Sequence, residues 1–145
     1  MVEQIAIPLG TFAQSAPQAL VSSSGWIEFL GDGANAEFFA KAVSDAPRLV
    51  VPTICVFEVC RWMRRELGER RALEAMALMQ QGSIVDLDAT LAMSAARLSL
   101  ELKLPMADSI VYATARANEA ALWTQDDDFE GLDGVKYIAK KKGAK

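Results

Sequence analysis

The stretch LPMADSIVYATARANEAALWTQDDDF, residues 104–129, reads as a helix, a short strand and an acidic turn in immediate succession. Pro105 suits the first turn of a helix, where its missing N–H removes no hydrogen bond, and the helix is expected to run to about Asn118. ALWT, 121–124, is an apolar strand broken by Asp126, Asp127 and Asp128. Upstream, SIVDLD at 83–88 is a strand, and Asp88 or Thr90 caps a helix whose Leu91, Ala95, Leu98 and Leu102 form one apolar stripe. Further out, RLVVP at 48–52 reads as a buried strand, followed by a helix from Thr53 to Leu67 that Gly68 stops and a second helix from Glu69 to Gln81. ALV at 19–21 opens the pattern and is followed by a short helix with Trp26, Ile27, Phe29 and Leu30, then one with Phe39, Ala42 and Val43. VKYIA at 135–139 closes it as a fifth strand. Short apolar strands alternating with helices predict an α/β fold: a mostly parallel sheet covered on both faces. Ligands then bind beyond the carboxyl ends of the strands, near Ser22–Ser24, Thr53 and Gln125–Asp128.

The 145 residues fit one domain, and 52% apolar content is enough for a core without disulfides or structural metal. A net charge of −4 excludes a polycation that coats nucleic acid. The chain has no histidine, which removes triads, His-ligated zinc and imidazole switches and leaves carboxylate chemistry. Cys55 and Cys60 are expected on different faces of one helix, as buried thiols in a reducing cytoplasm. No apolar run reaches the roughly 18 residues of a membrane span, and the first residues carry no basic segment of the secretory kind. Residues 1–18 read as an extension, 19–139 as the domain and 140–145 as a basic tail.

Three acids stand out by position. Glu58 interrupts an apolar helical stretch, Asp108 falls in the first turn after Pro105, and Asp126 ends the fourth strand. Each has an ordinary explanation: Glu58 could pair with Arg61 or Arg65, Asp108 could serve the helix dipole, and Asp126 could cap a turn. Together they match what hard divalent cations require, oxygen ligands from a few carboxylates. Arg61, Arg64, Arg65, Arg70 and Arg71 lie within eleven residues and suit either phosphate binding or a solvated helix pair laced with pairs such as Glu66–Arg70. Trp26, Trp62 and Trp123 read as core or interface residues.

On these residues the chain resembles a known family. VSSSGWIE at 21–28 looks like the opening VDSSGWIE of PIN-domain proteins of the VapC toxin type, and the helix containing Glu58 looks like their second motif. LPMADSIVYATA at 104–115 and LWTQDDDF at 122–129 are similar to the third and fourth. The resemblance implies a PIN-like three-layer sandwich with a five-stranded parallel sheet, acting as a metal-dependent endoribonuclease of a toxin–antitoxin pair. It implies Glu58, Asp108 and Asp126 as catalytic, metal-binding acids for Mg²⁺ or Mn²⁺, with Asp128 as an auxiliary. Asp127 and Asp133 match no such position. RNA would be the substrate, met by Arg61, Arg64 and Arg65, and an antitoxin protein and a second copy of the chain the partners. The departure is Ser22, which stands where the family has its first acid. That is compatible with a lost site, a change made to inactivate the enzyme, or a site that works weakly with three acids. An inactive PIN-like module that binds RNA or an antitoxin is the alternative function. A receiver-like signalling domain would need a phosphoacceptor Asp at a central strand end and a Lys at another, which this chain does not supply.

Overall fold

A computed structural model describes residues 18–141. The expected extension therefore lies outside the described residues except for Gln18, as do residues 142–145 of the basic tail. The elements are β1 (Gln18–Val21), α1 (Ser23–Leu30), α2 (Ala36–Val43), β2 (Val50–Pro52), α3 (Thr53–Leu67), α4 (Glu69–Met79), β3 (Ser83–Val85), α5 (Ala89–Leu102), α6 (Met106–Ala117), β4 (Ala120–Thr124) and β5 (Val135–Tyr137). Short 3₁₀ turns at Ala46–Arg48 and Asp127–Phe129 complete them.

All strand pairs are parallel: β1 with β4, β4 with β5, and β2 with β3. The five strands do not form one continuous ladder. β1, β4 and β5 make one sheet and β2 and β3 another, joined through the single bridge Ala19–Leu49. The reason is local. The 3₁₀ turn takes up Arg48, which the sequence had suggested for the strand, and Pro52, which lacks an N–H, leads directly into α3. All three residues of β2 pair with β3, and its contact with β1 is the Ala19–Leu49 bridge at the residue before it. The layer order is nevertheless that of a doubly wound α/β sandwich, with every strand end pointing the same way.

Alternation sorts β4 between its two faces. Trp123 meets Phe38 of α2 with ring centroids 5.0 Å apart, whereas Leu122 and Thr124 point to the other face and are fully buried. α6 packs against β4, β2 and α5, and Ser109 to Ala115 are all buried. That explains why its sequence is apolar all round rather than striped. Pro105 is its N-cap, so the helix begins one residue later than the sequence suggests, and Asp88 caps α5 by accepting the Leu91 N–H at 2.9 Å.

A buried polar knot joins the ends of these elements. Asn35 donates its backbone N–H to Glu28 Oε2 at 2.7 Å and its side-chain amide to Gln125 Oε1 at 2.9 Å and to the Ala139 carbonyl at 3.1 Å. Gln125 in turn donates to Glu28 Oε1 at 3.2 Å. Glu28 is thus occupied in tying α1 to the segments after β4 and β5, away from the first strand end. Both thiols are free, but only Cys55 is buried; Cys60 is half-exposed, because its position on α3 faces away from the core.

Gly25 holds α1 against the sheet and α2. A Cβ there would come within 2.6 Å of the Phe39 ring and 2.8 Å of Val21. Alanine would gain about 1 kcal/mol of helix propensity, but overpacking a filled core costs about 1–3 kcal/mol, and here both contacts are to fully buried side chains. We expect Gly25→Ala to lower the thermal unfolding midpoint by several degrees, measured by circular dichroism; an unchanged or raised midpoint would show that this contact can relax.

Candidate metal centre

Each acid arrives at the strand ends on a different element. β1 ends at Val21, and Ser22 follows as the N-cap of α1, accepting the Gly25 N–H at 3.3 Å. Glu58 projects from the second turn of α3, Asp108 from the first turn of α6, and Asp126 follows β4 by two residues. Because the strands are parallel, these positions converge. Ser22, Glu58, Asp108 and Asp126 line one cavity of about 580 Å³, whose remaining walls include Ile27, Phe57, Arg61, Trp62, Arg65 and Phe129.

At its edge, carboxylate oxygens of Asp108, Asp126 and the exposed Asp128 all lie within 4.8 Å of one another. The Asp128 side chain is brought in by the 3₁₀ turn: Asp126 caps that turn, its Oδ1 accepting the Asp128 N–H at 3.0 Å. Asp126 therefore does play the capping part that its position suggested, while its carboxylate remains in the cluster. Glu58 lines the cavity but stands outside this tightest group; its Oε1 accepts the Ser23 hydroxyl at 2.6 Å, and it pairs with neither Arg61 nor Arg65. Ser23 has no counterpart in the sequence-level site, although the serine run after β1 marked the region.

Ser22 is buried and fully engaged. Its hydroxyl donates to Thr124 Oγ1 at 3.0 Å and lies 3.1 Å from the Ser24 hydroxyl. Thr124 Oγ1 also accepts the Asp126 N–H at 3.0 Å. A neutral hydroxyl thus joins β1, β4 and the acid that follows β4. Burial, then the charge of Asp126 and contact with Asp128, push the Asp108 carboxyl up to about 7. Without a cation nearby, Asp108 favours keeping its proton. Beneath them the Cys55 thiol is pushed up to about 12, chiefly by burial, and stays protonated.

The arginines divide. Arg61 and Arg65 line the cavity, Arg65 also bonding Glu66 at 2.9 Å, whereas Arg64 turns outward to pair with Glu69. Arg71 approaches Glu74 at 3.8 Å, and the suggested Glu66–Arg70 pair does not form. Of the tryptophans, Trp26 is core, Trp123 packs on Phe38, and Trp62 is half-buried in the cavity wall. Asp127 is exposed, and Asp133 pairs with Arg116 at 3.2 Å.

The fold occurs in solved structures. The chain is similar to a protein of a toxin–antitoxin complex from Klebsiella pneumoniae, at 24% identity and a TM-score of 0.70 over 82% of this chain and 96% of that one. It is also similar to Mycobacterium tuberculosis VapC20, described as a sarcin–ricin loop cleaving toxin, at 18% identity and a TM-score of 0.67 over 81% and 97% of the two chains. A third is the DNA-bound VapBC of Salmonella typhimurium, at 13% identity and 0.65 over 86% and 98%. No curated protein matches the chain in sequence. At these identities the likeness is one of fold. The family assignment comes from the sequence itself, since residues 19–135, which contain Ser22, Glu58, Asp108, Asp126 and Asp128, match the model of the PIN domain: the chain belongs to the PIN domain family.

Proposed function

We propose that the chain is a metal-dependent endoribonuclease of the toxin–antitoxin kind whose centre is weakened at Ser22. The observation that carries this reading is the group formed by Asp108, Asp126 and Asp128, with carboxylate oxygens inside 4.8 Å of each other at the strand ends. An all-oxygen, all-carboxylate donor set suits Mg²⁺ or Mn²⁺ and offers nothing to a thiophilic metal. Asp108, Asp126 and Asp128 would hold the ion, with Glu58 across the cavity. Bound there, such an ion lowers the pKa of water and stabilises charge on a phosphodiester undergoing in-line displacement.

The chain's own groups do the rest. Arg61 and Arg65 offer planar guanidinium forks to RNA phosphates at the cavity rim. Thr124 fixes the backbone of Asp126, and Ser23 fixes Glu58 Oε1. In the metal-free cavity burial and the neighbouring carboxylates push the Asp108 carboxyl up to about 7, and a cation bound there would draw it back to the ionised form. With no histidine in the chain, proton handling falls to carboxyl groups. Ser22 favours a second reading, an inactive module that binds RNA or an antitoxin, because an uncharged hydroxyl already committed to Thr124 is a poor ligand.

The partners we assign are an antitoxin and a second copy of the chain, in the cytoplasm. No helix among the described residues is long and apolar enough to cross a membrane. Trp26, Phe29, Phe38, Phe39, Trp62 and Met63, near the helix starts, are the apolar surface that the sequence suggests for partners, and the structure places it elsewhere. Trp26, Phe39 and Met63 are sealed in the core, and Phe29, Phe38 and Trp62 pack against it. The exposed large apolar side chains include instead Phe57 at 65% beside the cavity, and Met93 at 67%, Leu100 at 83% and Met106 at 75% around α5 and α6. Helical periodicity locates an apolar face but does not say which face the sheet covers. Sedimentation at tens of micromolar is expected to give a dimer rather than a 15.7 kDa species.

Two further outcomes test the centre. Asp108 has a raised folded-state pKa, so the folded protein binds more protons than the unfolded chain between about 4 and 7, and metal-free stability falls as pH rises through that window. Asp108→Asn should therefore raise the metal-free midpoint at pH 8 but not at pH 4; after screening of a half-exposed group the gain is on the order of 1 kcal/mol. Equal effects at both pH values would remove the repulsion argument. Ser22→Asp supplies the missing anionic ligand and should raise Mn²⁺ affinity by about 10 to 100-fold or more, with Mg²⁺- or Mn²⁺-dependent cleavage of unstructured RNA that Ser22→Asp combined with Asp108→Asn abolishes. If neither binding nor cleavage rises, the acids are structural and the binding module replaces the enzyme.

A further inference from the structure

The cavity that holds the acids continues into a second one. Ser24 and Asp126 belong to the walls of both. Beyond that shared saddle, Tyr137, Lys140 and Asp127 surround about 350 Å³, within the range of roughly 300–1,000 Å³ typical of small-ligand sites. Sheet register explains how Tyr137 gets there. It is paired with Thr124, and Lys136 with Trp123. Side chains alternate across a strand. Tyr137 therefore shares the face of Thr124, whose hydroxyl holds Asp126, while the Lys136 ammonium goes to the other face and lies 4.8 Å from the Trp123 ring centroid.

Charge is arranged on both sides of the saddle. The acids at the centre repel a phosphodiester chain, so an RNA strand has to be held from its flanks. Arg61 and Arg65 stand on one flank. Lys140 stands on the other, followed by Lys141 and Lys41, which share the next depression with Phe38 and Ile138. In the second cavity the exposed acid Asp127 repels phosphate, which leaves the Lys140 side for the backbone and the Tyr137 ring for a base.

We propose that this second cavity is a nucleotide subsite for single-stranded RNA, holding the nucleotide on the opposite side of the reacting phosphate from Arg61 and Arg65, with Tyr137 stacked on its base and Lys140 on its phosphate. The proposal rests on the ribonuclease reading and sets its substrate class. A base can reach Tyr137 only if it is unpaired, so the site selects loops and single strands over duplex RNA.

The test uses the full chain and a fluorescently labelled, unstructured oligoribonucleotide of about ten nucleotides, within the span of known single-strand sites. Binding is followed by anisotropy in Ca²⁺ over a salt series. Tyr137→Ala should weaken binding roughly 10-fold while Tyr137→Phe, which keeps the ring, binds as the unaltered chain does. Lys140→Ala, at an exposed position, should lower the slope of log K against log salt by about 0.7, one single-strand phosphate contact. A duplex of the same sequence should not respond to Tyr137→Ala. If Tyr137→Ala and Lys140→Ala both bind like the unaltered chain while Arg61→Ala weakens binding, the second cavity is no subsite and the ribonuclease reading stands. If neither the unaltered chain nor Ser22→Asp binds RNA at all, both fall together. Equal melting midpoints exclude misfolding as the cause, and Lys140→Ala carries the test should Tyr137→Ala fail to fold.

Discussion

Mutual repulsion among carboxylates at the ends of parallel strands is the constraint around which the rest of this molecule is organised. Bringing the oxygens of Asp108, Asp126 and Asp128 within 4.8 Å of one another is unfavourable without a cation, and the Asp108 carboxyl is pushed up to about 7, first by burial and then by the charges of its neighbours. Only a rigid frame can hold such a group together. The frame is α6, buried along its middle from Ser109 to Ala115, and β4, whose Leu122 and Thr124 are fully enclosed. The apolar core offsets the electrostatic strain at its edge, a pattern expected of a site built to receive something positive.

Ser22 shows how a position can serve structure and chemistry at once. As an N-cap it satisfies the Gly25 amide; as a buried hydroxyl it links β1 to Thr124 and, through it, to Asp126. A carboxylate there could also cap the helix, so the neutral residue is not required by the fold. What the serine removes is charge. An uncharged side chain adds no repulsion to the neighbouring carboxylates, whereas an acid at this position would add both repulsion and attraction for a cation.

The two cavities that meet at Ser24 and Asp126 give the site a direction. One is walled by arginines and apolar side chains, the other by a phenol, a lysine and an acid. The polar knot of Glu28, Asn35 and Gln125 holds the end of β5 through the Ala139 carbonyl, and so fixes the far wall, to which Tyr137 and Lys140 belong. A change at Asn35 or Gln125 reaches that wall without touching Asp108, Asp126 or Asp128.

The sequence by itself determined the alternation of strands and helices, the family and the positions of the acids along the chain, because these follow from periods of two and 3.6 residues, capping chemistry and four short motifs in order. Asp88 as a cap, Gly68 between α3 and α4, and the acids after Pro105 and Thr124 are all legible in that way. Only the tertiary structure decided that Asp128 joins Asp108 and Asp126 while Glu58 stands apart against Ser23, that Arg61 and Arg65 face the cavity while Arg64 pairs with Glu69, and that Tyr137 shares the face of Thr124. Each of these depends on register between strands or on the angle of a helix against the sheet. Such distances are set by packing between residues far apart in the chain, and local patterns of polarity carry no record of them.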